Sequence, residues 1–291
     1  MEITASMVKE LREITGAGMM DCKAALQETK GNMEEAIKYL REKGIAKSVK
    51  REGKIAAEGL ANVLVKDNFA VILEVNSETD FVSKNEEFIE MVNTIGQTIL
   101  DNKVKTMEEA LELKVDKDTL NNYVVEKTAK IGEKIAFRRF TLLEKLDDEV
   151  FGTYIHMGGN IAVLIKVKGS DEEVAKDVAM HYAAMKPEYL FKEDVSEEVI
   201  NEEKELLKKQ AMDEGKPADI AEKMVAGKIN RFYKDNCLVE QTFVKDDSVT
   251  VGTYLKNNDS TLLEGIRYEV GEGIEKKEEN FLEEVKAQMG E

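Results

Sequence analysis

The sequence predicts an α+β protein: a small helical module, a two-subdomain sheet-helix core with an internal repeat, a helical hairpin and a C-terminal helix. Three observations predict it. Residues 68–75 read NFAVILEV and residues 160–167 read NIAVLIKV, with Asn, Ala, Val and Val in register, so one strand is written twice. Near the start, Gly16, Gly18 and Gly31 punctuate apolar residues at helical spacing. Residues 196–214 and 217–233 are charged, helix-patterned segments meeting at Gly215-Lys216-Pro217.

Composition narrows the function classes. At 291 residues the chain can hold about two domains by the usual length prior. A net charge of −17 and a pI near 4.8 disfavour a nucleic-acid surface, which needs a clustered positive field, so a protein partner is expected. Residues 1–54 differ, with 11 basic and 9 acidic side chains; such a module suits an acidic docking surface. Cys22 and Cys237, His156 and His181 stand at no metal or redox spacing, so no metal or cofactor is expected and a reduced, cytoplasmic setting fits. No window approaches a membrane span. No GxxxxGK[ST] or dinucleotide fingerprint occurs, which disfavours nucleotide binding through those loops.

In chain order, residues 1–54 read as three short helices. Thr4 or Ser6 caps the first, with Val8, Leu11 and Ile14 on one side; the second covers residues 21–29 and the third residues 33–43. Met19 and Met20 open the second helix and point about 100° apart, so both cannot face inward. Lys43, Lys47, Lys50, Arg51 and Lys54 read as a solvated basic linker. Residues 55–142 form the first core subdomain, with strands at 59–65, 69–75 and 135–142 and a mostly helical stretch between. Residues 143–273 form the second, with a hairpin tip at His156 beside Gly158-Gly159, the helical hairpin at about 196–234, and a last strand at 265–270. The seam of that hairpin is assigned to Leu206, Leu207, Met224, Val225 and Phe232. Residues 274–291 read as an amphipathic helix.

The informative position is the corner after the first repeated strand. Asn76, Ser77 and Thr79 supply turn and cap chemistry, and Ser83-x-x-Glu86 can close a capping box, so the helix starts at Thr79 or at Ser83. Carried through the repeat, Asp80-Phe81 aligns with Glu172-Glu173. The second copy opens its helix with acids that complement the helix dipole, whereas the first places a phenylalanine there. Phe81 is then either a core residue or a projecting wedge on a strand-helix corner.

Thr79-Asp80-Phe81-Val82 in this setting, Thr15-Gly-Ala-Gly-Met-Met-Asp-Cys-Lys23, Ala221-Glu-Lys-Met224 and Arg267-Tyr-Glu-Val-Gly-Glu-Gly-Ile274 together resemble the bacterial elongation factor Ts family. The resemblance spans essentially the whole chain. It implies a ubiquitin-associated-like fold for residues 1–54, a coiled-coil protrusion linked to homodimerisation at 196–234, and a C-terminal module that grips a partner. It also implies guanine-nucleotide exchange on the GTPase elongation factor Tu without covalent chemistry. Thr79, Asp80, Phe81 and Val82 would dislocate the partner's Mg²⁺, and Arg12, Met19, Met20, His156, Phe243 and Val244 would bind the partner. Two other classes remain open on the residues alone: a non-catalytic helical adaptor, and a hydrolase pairing Asp80 with Glu74 or Glu78.

Overall fold

The computed structural model describes residues 3–15, 17–169, 171–215 and 217–275, without the side chains of Ile45, residues 47–50, Ala218, Asp219 and Ala221. The expected helix at 274–291 therefore lies almost wholly outside the described residues. Helices and sheets are both present, as an α+β class requires. The chain divides into two compact units. One collects the described residues of Met1–Leu60, Glu74–Phe140 and Glu269–Glu291; the other comprises Ala61–Leu73 and Thr141–Tyr268.

The first unit begins with α1 (Ala5–Thr15), α2 (Met19–Glu28) and α3 (Met33–Arg51). Val8, Leu11, Cys22, Ala25, Leu26 and Ala36 make their shared core. Ile14 does not join it: the residue is exposed in the last turn of α1, one turn beyond Leu11. Helix α3 runs eight residues past the predicted end, straight through Gly44, because residues 43–51 contain no proline and gain partners. Gly44 lies so close to α7 (Leu120–Ile131) that a Cβ there would sit 3.3 Å from the Ala129 Cβ, and Arg41 pairs with Asp118. Lys43 pairs with Asp21 at 3.2 Å and Arg51 with Glu78 at 3.1 Å. The basic stretch is thus helix with engaged cations, which corrects the solvated-linker expectation for Lys43 and Arg51.

Both repeats form three-stranded sheets. β1 (Glu58–Lys66) and β2 (Phe69–Ser77) join through a tight turn with Asp67 at φ 53°, and β2 is central, flanked by β1 and β5 (Ala136–Glu144). A short helix, α6 (Met107–Glu112), and two short strands that pair separately, β3 (Lys114–Val115) and β4 (Asp118–Thr119), precede α7. In the second copy β6 (Glu149–His156) pairs antiparallel with β7 (Ile161–Lys168), from Glu149 opposite Lys168 to His156 opposite Ile161. Here β7 is central, flanked by β6 and β10 (Thr261–Glu269), while the short strands β8 (Thr242–Phe243) and β9 (Asp246–Thr250) pair with each other. The repeat therefore extends to topology: in each copy the second hairpin strand takes the middle, where its run of buried aliphatics is covered.

After the central strand the copies diverge. The second leads through Asp171, whose carboxylate accepts from the N–H groups of Glu173 and Val174, into α8 (Glu172–Met185). The first inserts a four-residue helix, α4 (Asp80–Ser83), before α5 (Glu86–Asn102). Asn85 caps α5, and the Ser83 hydroxyl instead donates to the Asp80 carbonyl, so the Ser83–Glu86 capping box does not form.

Each hairpin carries a glycine in its first strand, Gly59 in β1 and Gly152 in β6, and the two serve different contacts. Gly59, at φ 140°, lets its backbone approach the Val75 carbonyl, which a Cβ would meet at 2.2 Å. Gly152 lies beneath α8, and a Cβ there would stand 2.3 Å from the Ala175 carbonyl oxygen. Gly152→Ala is expected to destabilise by about 1–3 kcal/mol, because backbone rather than a flexible side chain must shift. Urea unfolding measures this, and an unchanged midpoint would contradict the close packing.

In the second unit, α9 (Glu197–Asp213) and α10 (Ala218–Asn236) pack together as a hairpin, with Ser196 capping α9 and Pro217 at the N-cap of α10. Leu207 is buried as expected, but Leu206 faces out; Ile200, Ala211 and Ile229 are also buried. Leu207, Ile200 and Ala211 are spaced seven and four apart, the 3.6-residue face that excludes Leu206.

Candidate functional site

The corner after β2 is built from local and distant bonds. The Ser77 hydroxyl donates to the Thr79 carbonyl at 2.9 Å, tightening the turn. Glu133 receives two bonds from Thr79: its Oε2 accepts from the Thr79 N–H at 3.0 Å, and its Oε1 from the Thr79 hydroxyl at 2.7 Å. Glu78 accepts from the Lys134 N–H at 2.6 Å and from Arg51. Across α4, the C-cap residue Lys84 donates from Nζ to Asp80 Oδ2 at 2.7 Å. That bond, one helical turn away, holds the Asp80 carboxyl below its usual pKa and keeps it charged at neutral pH.

Helix α4 buries none of its residues, and Phe81 is 81% exposed. The core alternative for this ring is thereby removed. Single exposed apolar residues are ordinary. This one differs in its mounting: the chain before it is tied at consecutive residues, Glu78 and Thr79. Asp80 is exposed beside it and Val82 half-buried, so carboxylate and ring face solvent from one short turn. Such a corner can insert an apolar ring next to a negative charge.

The acids named for a hydrolase do not cooperate. Glu74 is wholly buried in β2 and accepts from Arg138 Nη1 at 3.0 Å, Arg139 Nε at 2.6 Å, Asn76 Nδ2 at 2.9 Å and the Gly271 N–H at 2.8 Å. Burial pushes its carboxyl pKa up, but the Gly271, Asn76 and Arg139 bonds outweigh it and hold the group below its usual value. Asp80 and Glu74 are thus shifted away from proton donation, and Glu78 is taken by Arg51 and Lys134. Cys22 and Cys237 are buried, and burial pushes the Cys237 thiol up to about 11, so it is a poor thiolate. Among the described residues no cluster of His, Cys, Asp and Glu is arranged for a metal, and no helix is long and apolar enough to cross a membrane.

The other predicted contact residues fall in two places. Arg12, Met19 and Met20 are all exposed around the α1–α2 corner, Met20 by 74%. Both methionines face out because α2 buries Cys22, Ala25 and Leu26, leaving its first turn uncovered. Ile14 stands exposed at the same corner, an apolar contributor that sequence reasoning placed in the core.

In the second unit, His156 ends β6 half-buried and stacks on Tyr154 at 6.0 Å. Met157, left-handed at φ 49°, follows it and is exposed, a residue that sequence reasoning missed although the Gly158-Gly159 turn marks its position. Val244 is exposed, but Phe243 is not: it is 2% exposed and stacks on Tyr254 at 4.2 Å. Phe243 is therefore corrected from a surface contact to the buried anchor of Val244. Its ring also packs 5.8 Å from His181.

His181 completes this anchor. Its Nδ1 accepts from the Val244 N–H at 3.2 Å, which places the ring proton on Nε2, 3.0 Å from Gln241 Oε1. Gln241 Nε2 in turn donates to the Asp235 carbonyl at 2.8 Å, at the end of α10. Burial lowers the His181 pKa, against the raising effect of the Gln241 bond. A depressed folded pKa means that the unfolded chain binds the proton more readily. Stability from this site is therefore full above the ordinary imidazole value of about 6.5 and falls as pH drops below it. Thermal melts between pH 7.5 and 5.5 are expected to show that step in the native chain and not in His181→Asn, where the amide oxygen can still accept from Val244. An equal step in both would refute the assignment.

Residues 78–272 match the family described as Elongation factor TS. The match opens at Glu78, the residue tied to Lys134 and Arg51, runs through Thr79–Val82, the second hairpin, the α9–α10 pair and the His181 anchor, and covers two thirds of the chain. The chain belongs to the elongation factor Ts family, membership that implies nucleotide exchange on elongation factor Tu in translation elongation.

Proposed function

We propose that this chain binds elongation factor Tu carrying GDP and releases the nucleotide by inserting Asp80 and Phe81 beside the partner's Mg²⁺ and phosphate site. The observation that carries this reading is the exposed Phe81 ring on a turn tied at Glu78 and Thr79. Displacing Mg²⁺ leaves β-phosphate charge less neutralised, so GDP binds more weakly. Thr79 and Val82 frame the insertion. Arg12, Met19 and Met20, with Ile14, form a separate adaptable contact, and His156 and Val244 supply further contacts from the second unit. No covalent chemistry is involved, and the reaction takes place in the cytoplasm. The α9–α10 pair, with Leu206, Met212 and Ile220 exposed, is suited to homodimerisation.

Binding arithmetic supports a shared task. Weakening GDP by a factor of about 10³ takes about 4 kcal/mol. One phenylalanine ring contributes about 1.5–3 kcal/mol on burial. The wedge thus needs the remaining contacts to hold it in place. The test is release of fluorescent GDP from elongation factor Tu on rapid mixing with the chain. The rate is expected to climb with chain concentration to a plateau well above spontaneous release. A flat response would refute exchange and favour an adaptor.

A further inference from the structure

We propose that Glu133 is the positioning residue of the exchange wedge, holding Phe81 in its projecting pose through Thr79. The inference rests on the exchange reading above.

Helix α7 ends at Gly132, which adopts the left-handed C-cap conformation, and the next two residues turn toward β5. Both carry bonds to other segments. Glu133 takes the N–H and hydroxyl of Thr79. The Lys134 N–H binds Glu78, and Lys134 Nζ donates to the carbonyls of Glu52 at 2.7 Å and Lys54 at 3.0 Å. Arg51 closes the set from the end of α3 by reaching both Glu78 carboxylate oxygens at 3.1 Å. One two-residue turn thereby braces the chain entering the wedge, and the same turn is fastened to the exit of α3.

Thr79 is the N-cap of α4, a position where a threonine side chain ordinarily accepts from the first turn of its helix. Here it makes no such cap, and the bond its hydroxyl does make runs outward, to Glu133. A four-residue helix cannot support itself, since nucleation is unfavourable and only propagation repays it. Helix α4 also has no fully buried residue to anchor it by packing; Val82 and Ser83 are only half-buried. The Glu133 carboxylate therefore supplies the external hold, and without it an apolar ring in water is free to fold back onto the protein surface. The orienting contribution is pre-organisation, which acts on the insertion step more than on the overall grip.

The test compares Glu133→Ala, Glu133→Gln, Phe81→Ala and Glu133→Ala/Phe81→Ala for complex affinity and for the plateau rate of GDP release. Glu133→Ala is expected to lower the plateau about ten-fold, the scale of a small misplacement, while affinity for elongation factor Tu changes little. Glu133→Gln should restore it, since the amide oxygen accepts from the Thr79 N–H and the amide nitrogen donates to its hydroxyl. The double variant should be no slower than Phe81→Ala alone, because Glu133 acts through the ring. A wild-type plateau in Glu133→Ala, additive losses in the double variant, or a Gln variant as slow as the Ala variant would each overturn the proposal. If Glu133→Ala does not fold, Thr79→Ala removes the hydroxyl half of the hold and enters the same comparison with Phe81→Ala. Failure of the native chain to accelerate release would instead strike the exchange reading itself.

Discussion

Phe81→Ala is expected to reduce the plateau rate of GDP release about ten- to one-hundred-fold, the equivalent of the 1.5–3 kcal/mol that a buried phenylalanine ring contributes. Affinity for nucleotide-free elongation factor Tu should fall by a much smaller factor. The asymmetry follows from where the ring sits. It projects from a four-residue turn, whereas Met19, Met20 and Val244 belong to other segments of the chain, so those contacts survive its loss. Fold stability should be unaffected, because an 81% exposed side chain contributes nothing to the core. Titrating the variant against labelled elongation factor Tu separates affinity from plateau rate. Equal losses in both would make Phe81 a general anchor rather than a wedge.

Glu74→Ala is expected to cost about 3–5 kcal/mol of folding stability, a large share of the 5–15 kcal/mol available to an ordinary domain. The carboxylate joins β2 to Arg138 and Arg139 of β5 and to the Gly271 N–H just beyond β10. Removing it takes from the half-buried Arg138 and Arg139 guanidinium groups, the buried Asn76 amide and the Gly271 N–H the one acceptor they share. Glu74→Gln, which retains acceptor capacity without the charge, should lose less. The pH dependence has a definite sign. Because the folded pKa of Glu74 lies below its ordinary value of 4.5, its contribution is present above that pH and is lost as pH falls through the folded value. Urea unfolding at pH 7 and pH 4 checks both statements: native and Ala chains should differ widely at pH 7 and less at pH 4. A pH-independent difference would contradict the assignment to the ionised carboxylate.

Much of this architecture was legible because it is local or repeated. The strand at 68–75 and its copy at 160–167 declare themselves through β-branched runs and a shared asparagine, and both became central strands. The anomaly of Phe81 was visible because the second copy puts glutamates in the same place. What stayed hidden depends on residues far apart in sequence. Nothing in the string ties Thr79 to Glu133, 54 positions away, nor Glu78 to Arg51, since surface-type charges occur everywhere in this chain. Phe243 misled because its contact role came from the family resemblance and not from any local pattern, whereas Tyr254 and His181 pack against its ring. Ile14 misled in the opposite sense. It fits the apolar spacing of α1, but the buried layer ends at Leu11. Periodicity reports which face an element buries and says less about where along its length burial stops.

The central claim is that this chain and GDP bind elongation factor Tu at each other's expense, with Phe81 carrying a large part of that coupling. The most direct measurement is the dissociation constant of the chain for elongation factor Tu with and without saturating GDP, for the native sequence and for Phe81→Ala. Reciprocity requires GDP to weaken the chain by the same factor as the chain weakens GDP. A ratio of about 10³ is predicted for the native chain, the equivalent of about 4 kcal/mol, shrinking at least ten-fold in Phe81→Ala. Equal constants with and without GDP in the native chain, or an undiminished ratio in the variant, would contradict the account.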